Sequence, residues 1–153
     1  MQKIRPCLWF DSQAEEAMNF YLSVFKRGKA LSVNRFDGKV LSVSFELEGQ
    51  EFIALNGGPI FRFTEAISLF VDCQNQEEVD ELWEKLSAGG SKDRCGWLKD
   101  RYGLSWQVIP TVLLKLLHDP DPAKSRAVFV AMLKMNRIVI ADLRKAYEAQ
   151  NAA

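Results

Sequence analysis

The stretch that decides the fold is residues 14–21, AEEAMNFY, because residues 76–83, QEEVDELW, repeat its pattern 62 positions later. The acidic pair falls on an acidic pair, and Phe-Tyr falls on Leu-Trp. Upstream, residues 8–10 (LWF) fall on residues 70–72 (FVD) at the same offset. A strand pattern and a helix pattern that recur in step indicate an internal duplication.

The first half of the chain predicts a strand, a helix and three further strands. Apolar residues recur at helical spacing between residues 13 and 25, with two acidic residues in the first turn. Asp37-Gly38 is a dipeptide strongly favoured in two-residue hairpin turns. The predicted elements are a strand over 4–10, a helix over 13–25, and strands over 30–36, 40–47 and 51–55.

The second half repeats this order with shorter connections. Gly89-Gly90 ends its helix, and Pro110 stops its last strand. The tail after Pro110 lies outside the repeat, and the DPDP sequence at 119–122 must end a short helix. The predicted elements are a strand over 67–72, a helix over 77–88, a hairpin over 97–101 and 104–109, and helices over 123–135 and 140–149.

Composition excludes several classes of protein. The chain has 153 residues, 48% of them hydrophobic, with 20 Lys plus Arg against 20 Asp plus Glu. Zero net charge argues against nucleic acid and anionic membranes as partners, and no apolar run reaches the roughly 20 residues of a transmembrane helix. The N-terminus has no apolar signal-peptide core, and three cysteines without a CxxC motif indicate a reduced, cytoplasmic protein.

Several stretches together carry a family resemblance. They are PCLWF at 6–10, AEEA at 14–17, Phe20-Tyr21 and CGWLKDRYGLSWQ at 95–107, with a similar tail from 116 to 143. The chain resembles the PhnB-like branch of the vicinal oxygen chelate superfamily, which contains glyoxalase I and the bleomycin-resistance proteins. This branch is often labelled 3-demethylubiquinone-9 3-methyltransferase.

The resemblance implies an α+β fold. Two tandem βαβββ modules would form an open, cup-like β-sheet around one cavity, followed by C-terminal helices. We expect a paired domain over residues 1–110, with modules over 1–58 and 65–110. Residues 111–153 would form a helical extension packed on that domain or on a dimer partner.

The methyltransferase label finds no support in the residues. A Rossmann-like methyltransferase needs a strand, a Gly-rich turn and then a helix. Here Gly57-Gly58 ends a predicted strand and Gly89-Gly90 ends a predicted helix, so neither pair opens a helix after a strand. We therefore do not expect methyl transfer.

Enzymes of the superfamily usually hold a divalent metal with His, Glu or Gln side chains on the first and last strands of each module. The corresponding positions in this chain are Pro6 or Cys7, Ala54, Ser68 or Ala66, and Gln107. Only Gln107 can coordinate such an ion strongly. The one histidine, His118, is interpreted as an exposed helix-end residue. We expect no metal and no cofactor, with Gln107 as a ligand only in a metal-dependent alternative.

A cavity without a metal can still bind a ligand. Strand alternation turns Ser68 and Phe70 inward in the second half, and Ser105 and Gln107 inward on the last strand. Amide, hydroxyl and aromatic groups together are typical of a small-molecule site. The expected lining residues are Asn56, Ser68, Phe70, Trp97, Ser105 and Gln107.

The leading prediction is a cytoplasmic homodimer that binds a small organic molecule without a required metal. One alternative is a metal-dependent lyase, isomerase or dioxygenase that uses Gln107. Another is a scaffold protein that has lost its ligand. Cys95 has no histidine nearby in sequence and is interpreted as inert, and residues 99–101 are interpreted as a solvated hairpin end.

Overall fold

The computed structural model describes residues 2–151, and its chain divides into two compact units between Phe63 and Thr64. The first unit contains a four-stranded sheet and one helix. Its elements are β1 (Cys7–Phe10), α1 (Ala14–Val24), β2 (Gly28–Phe36), β3 (Lys39–Leu47) and β4 (Gln50–Asn56). The strand order is β1-β4-β3-β2, with β1 parallel to β4 and the other pairs antiparallel.

The alternation along β3 explains how this sheet packs. Val43, Phe45 and Leu47 are buried on one face, where α1 contacts the strand, and Ser42, Ser44 and Glu46 lie on the other face. The predicted turn at Asp37-Gly38 is present, and both residues have positive φ, 50° and 73°. A type I′ hairpin turn requires left-handed backbone at both central positions.

The second unit repeats the strand-helix-three-strand order and adds three helices. Its elements are β5 (Ser68–Cys73), α2 (Gln76–Ser87), β6 (Ser91–Lys92), β7 (Trp97–Lys99), β8 (Ser105–Pro110), α3 (Thr111–Leu117), α4 (Pro122–Leu133) and α5 (Ile140–Ala149). The strand order β5-β8-β7-β6, with β5 parallel to β8, matches that of the first sheet. The predicted tandem βαβββ fold is confirmed.

The three C-terminal helices share a core with the end of the second sheet. Their buried cluster consists of Ile109, Leu113, Val128, Ile138 and Leu143. Asp121 caps α4 by accepting a hydrogen bond from the Ala123 backbone N–H at 2.9 Å, with Pro122 at the first helical position. Within residues 2–151, no helix has both the length and the apolar composition that crossing a bilayer requires.

Candidate functional site

Five of the six predicted site residues lie on one face of the second sheet. Ser68 is paired with Ser105, and Gln107 is paired with both Phe70 and Trp97. Directly paired residues point to the same side of a sheet. The opposite side carries the buried Leu98, Trp106 and Val108, against which α2 packs. We call the side opposite α2 the distal face of the second sheet; it carries Ser68, Phe70, Trp97, Lys99, Ser105 and Gln107.

A hydrogen bond links two polar residues of this face. Gln107 Nε2 donates to Ser68 Oγ at 2.9 Å, and both side chains are half-buried. The bond uses the amide nitrogen of Gln107 as a donor, so the amide oxygen Oε1 is not part of it. Gln107 therefore keeps an acceptor atom beyond its bond to the serine hydroxyl.

Ser105 is the most enclosed polar residue of the face. Its exposed fraction is 0%, and its Oγ has no hydrogen-bond partner among residues 2–151. The strand register places it between Ser68 on β5 and Lys99 on β7. A buried hydroxyl without a partner costs roughly 1–3 kcal/mol, so such groups call for a specific explanation.

Aromatic side chains form the next row of the distal face. Trp97 is half-buried and Phe70 is 44% exposed, and both flank Gln107 across the sheet. Two residues beyond Gln107 on the same strand face, Ile109 belongs to the buried cluster of the C-terminal helices. The helical extension thus borders the face at one end.

Sequence reasoning missed Lys99, which adds a positive charge to this face. Its ammonium group forms an ion pair with Glu65, and a hydrogen bond from Lys99 lowers the pKa of that carboxyl group. Its position two residues from Trp97, on the same side of β7, was the available signal.

The interpretation of residues 99–101 as a solvated hairpin end was wrong for Asp100. Its side chain is 2% exposed and accepts hydrogen bonds from the backbone N–H groups of Tyr102 and Leu104. It also accepts one from Trp106 Nε1 at 2.9 Å. Asp100 forms the turn, as expected, but it does so as a buried anchor that fixes the start of β8.

Asn56, predicted to line the cavity, lies on the α1 side of the first sheet. Its Oδ1 accepts from the Ala14 backbone N–H at 2.8 Å, and its Nδ2 donates to the Val40 carbonyl at 3.1 Å. Ala54, of the same parity, is fully buried and is paired with Leu8 and Val43 on the side that α1 covers. Asn56 therefore caps α1, and Ile53 and Leu55 lie on the opposite side of β4.

The first sheet has its own distal face, opposite α1, which sequence reasoning also missed. Ser32 and Ser44 share a hydrogen bond of 2.6 Å between their hydroxyl groups, and Asn34 Nδ2 donates to Ser42 Oγ at 3.1 Å. The period-two serines of β3 were the signal for this hydroxyl row. Trp9 lies on the same face, since it is paired with Leu55, which is paired with Ser42.

The segment after β4 packs on Trp9. Trp9 Nε1 donates to the Gly58 carbonyl at 2.9 Å, and Phe61 meets its ring edge-on with centroids 4.9 Å apart. A Cβ atom at Gly57 would lie 2.3 Å from the Trp9 ring, so only glycine permits this approach. Gly57-Gly58 thus serves aromatic packing at the end of a strand.

The positions expected to hold a metal form a poor donor set. Pro6 precedes β1, so the first strand begins with Cys7, whose thiol has its pKa raised by burial. Metals bind the thiolate form of cysteine, and the raised pKa disfavours that form. Ala54 faces α1, and Ser68 already accepts the amide hydrogen of Gln107. No group of three or more His, Cys, Asp or Glu residues suited to a metal ion occurs within residues 2–151.

Comparison with known proteins identifies relatives. A family model described as 3-demethylubiquinone-9 3-methyltransferase matches residues 2–109. The PhnB protein from Bacillus cereus is 38% identical with a TM-score of 0.68, and the match covers 72% of this chain and 100% of that one. Comparison with curated proteins gives no match.

Two more distant structures show the fold alone. A glyoxylase/bleomycin resistance protein/dioxygenase domain from Frankia is 15% identical with a TM-score of 0.51, over 72% of this chain and 92% of that one. The fosfomycin resistance protein FosX from Listeria monocytogenes, complexed with Mn(II) and sulfate, is 16% identical with a TM-score of 0.51, over 69% of this chain and 88% of that one.

Three observations point to the same family. They are the duplicated βαβββ topology, the family model that spans both modules, and the sequence identity to the Bacillus cereus protein. The chain belongs to the PhnB-like family labelled 3-demethylubiquinone-9 3-methyltransferase.

Proposed function

We propose that this protein binds a small organic molecule on the distal face of the second sheet and needs no metal ion to do so. The observation that carries the proposal is the hydrogen bond from Gln107 Nε2 to Ser68 Oγ. These residues occupy the two positions where the superfamily would place metal ligands in this module. Here they satisfy each other and leave a hydroxyl and an amide oxygen to meet a ligand.

The donor set supports the metal-free part of the proposal. A hydroxyl, a carboxamide, a single thiol and an aliphatic side chain do not offer the carboxylate and imidazole groups that divalent ions prefer. The manganese in the Listeria protein is a property of that protein. The competing possibility is a metal-dependent lyase, isomerase or dioxygenase, in which Gln107 would turn its Oε1 to an ion.

Methyl transfer is not proposed, because the turns that open the helices lack glycine. β1 leads into α1 through Asp11-Ser12-Gln13, and β5 leads into α2 through Gln74-Asn75. A Rossmann-type cofactor site needs glycine there, so that backbone N–H groups can approach the ligand.

Thermal-shift screening of a metabolite library in the presence of EDTA tests the function. We expect at least one compound to raise the Tm of the wild-type protein, and Gln107→Ala to abolish that shift. Gln74→Ala, an exposed glutamine at the end of β5, is the matched control and should keep the shift. If library compounds raise the Tm only after Mn(II) is added, the result favours the metal-dependent enzyme instead.

We further propose that the protein is a cytoplasmic homodimer. Phe129 and Leu133 lie four residues apart on α4 and are 46% and 49% exposed, while Met132 packs on the helical cluster. A second copy would cover this apolar strip. The three free cysteines fit a reducing compartment.

Analytical ultracentrifugation tests the assembly. Wild-type protein should sediment as a dimer, and Phe129→Glu with Leu133→Glu should sediment as a monomer. Leu31→Glu, which changes an exposed leucine on β2, is the control and should leave the dimer intact. A wild-type monomer would overturn the homodimer.

A further inference from the structure

We propose that the ligand is a small planar carboxylate, whose oxygen accepts a hydrogen bond from Ser105 and whose ring packs against Trp97; this inference rests on the proposed function. Ser105 Oγ is fully buried and has no partner among residues 2–151. Native proteins satisfy most buried hydroxyl groups, so an unpaired one next to polar neighbours fits a group that meets its partner on ligand binding.

The neighbours of Ser105 favour an anionic partner. The register places Lys99 directly across β7 and Ser68 directly across β5. One ammonium and two hydroxyl groups in a row can donate to a carboxylate, and a charge-assisted hydrogen bond is stronger than a neutral one. Lys99 already binds a carboxylate, that of Glu65.

The ion pair between Lys99 and Glu65 can open to receive the carboxylate of the ligand. Both side chains are about half exposed, so the pair contributes little and can open. Lys99 lies directly across β7 from the buried Ser105, so its flexible side chain can release Glu65 and turn towards a ligand bound there. The ligand carboxylate then takes the place of the Glu65 carboxylate at the ammonium group.

The aromatic side chains of the distal face favour a flat ring in the ligand. Trp97 and Phe70 lie on either side of Gln107 across the sheet. A flat ring against an indole buries apolar area in the geometry that aromatic groups prefer. Gln107 Oε1 remains as an acceptor for a donor group on the ring.

Benzoate, with neutral benzamide as its isostere, is the probe. We expect two-dimensional NMR titration of the wild-type protein to shift the signals of β5, β7 and β8 with benzoate, with at least about tenfold weaker binding of benzamide. Ser105→Ala should weaken benzoate binding about tenfold, and Lys99→Met likewise. Glu65→Gln should strengthen it severalfold, because the competing carboxylate is gone.

Stability separates a ligand-binding role of Ser105 from a structural one. Ser105→Ala removes an unpaired buried hydroxyl and should leave the Tm unchanged or higher. Ser87→Ala removes a buried hydroxyl that donates to the Trp83 carbonyl at 2.6 Å, so it should lower the Tm and leave benzoate binding unchanged. A lower Tm in Ser105→Ala would assign the hydroxyl a structural role and overturn the inference.

The outcomes also separate this inference from the proposed function. Equal binding of benzoate and benzamide, or benzoate binding unaffected by Ser105→Ala, overturns the ligand class alone. The ligand class alone is also overturned if benzoate does not bind and a library compound that is not a carboxylate binds to the wild type but not to Gln107→Ala. If neither benzoate nor any library compound binds, the proposed function fails as well.

Discussion

At the scale of the residue, single hydrogen bonds position the polar side chains of the candidate site. Ser68 and Gln107 could be predicted to share a face of the sheet, because strand alternation turns both side chains to the same side. The burial of Asp100 could not be predicted, since its partners include two backbone N–H groups and an indole that come together only after β8 has folded. A carboxylate that accepts these bonds sets the path of the chain into Ser105 and Gln107.

Asp100→Asn should lower the free energy of unfolding by about 2 kcal/mol, because an amide that replaces the carboxylate loses a charge-assisted acceptor. Asp93→Asn is the control, since Asp93 is exposed and its carboxylate accepts a single hydrogen bond within residues 2–151, from the Arg94 backbone N–H. Urea unfolding measures both variants, with the loss read as a shift of the midpoint at constant slope. Equal losses would contradict the anchoring role of Asp100.

Burial raises the pKa of the Cys73 thiol to about 12, helped by the nearby carboxylates of Glu78 and Asp72. The folded state therefore keeps a proton that the unfolded state loses near the ordinary thiol pKa of about 8.5. The stability from this group is fully present below that pH and falls as the pH rises towards 12. At pH 9, iodoacetamide should label Cys73 only after unfolding by urea, as read by peptide mass spectrometry. Rapid labelling of Cys73 in the folded protein would contradict the burial of its thiol.

At the scale of the element, the two repeated helices begin in different ways. α2 has a local cap, in which Asn75 Oδ1 accepts from the Glu78 backbone N–H at 2.9 Å and Glu78 Oε2 accepts from the Gln74 backbone N–H at 2.7 Å. α1 has no such side-chain cap at Gln13 and relies on Asn56, 42 residues away. The duplication could be predicted from the pattern, but this difference could not.

The strand that carries Asn56 shows why part of the site could not be predicted. The run Ile53-Ala54-Leu55 is apolar throughout and has no period-two alternation, so the sequence does not decide which of its residues face α1. Ser105–Val108 alternates polar and apolar groups, and its faces were predicted in the order that the structure has them. The strand β6 escaped prediction because it is two residues long.

Asn75→Ala should cost about 1 kcal/mol of stability, the usual value of a helix N-cap. Asn56→Ala should cost more, roughly 2 kcal/mol, because it removes bonds to both α1 and β3. Urea unfolding gives both values. Neither variant should change the binding of a library compound, and a selective loss of binding in Asn56→Ala would restore Asn56 to the site.

At the scale of the whole molecule, one topology is used twice and the second copy carries an extension. The residues before Ile138 hold the start of β7, because the Cys95 and Gly96 N–H groups donate to the carbonyls of Met135 and Asn136. Ile138 is itself fully buried in the helical cluster. The extension thus stabilises the strand that carries Trp97 and Lys99.

Ile138→Ala should lower the free energy of unfolding by roughly 2–5 kcal/mol, the range for a large aliphatic side chain removed from a core. Ile60→Ala is the matched control, because Ile60 is 78% exposed and should cost little. Chemical denaturation followed by circular dichroism compares the two variants. Equal stability would show that the helical cluster adds nothing to the second unit.

We propose that the hydrogen-bonded pair of Ser68 and Gln107 stands where a metal centre would otherwise be, and that this protein binds no metal there. Isothermal titration of Mn(II), Ni(II) and Zn(II) into the metal-stripped protein tests it most directly, with Gln107→Ala measured beside the wild type. We predict no stoichiometric uptake by either protein. Tight uptake of one ion per chain that disappears in Gln107→Ala would contradict the account.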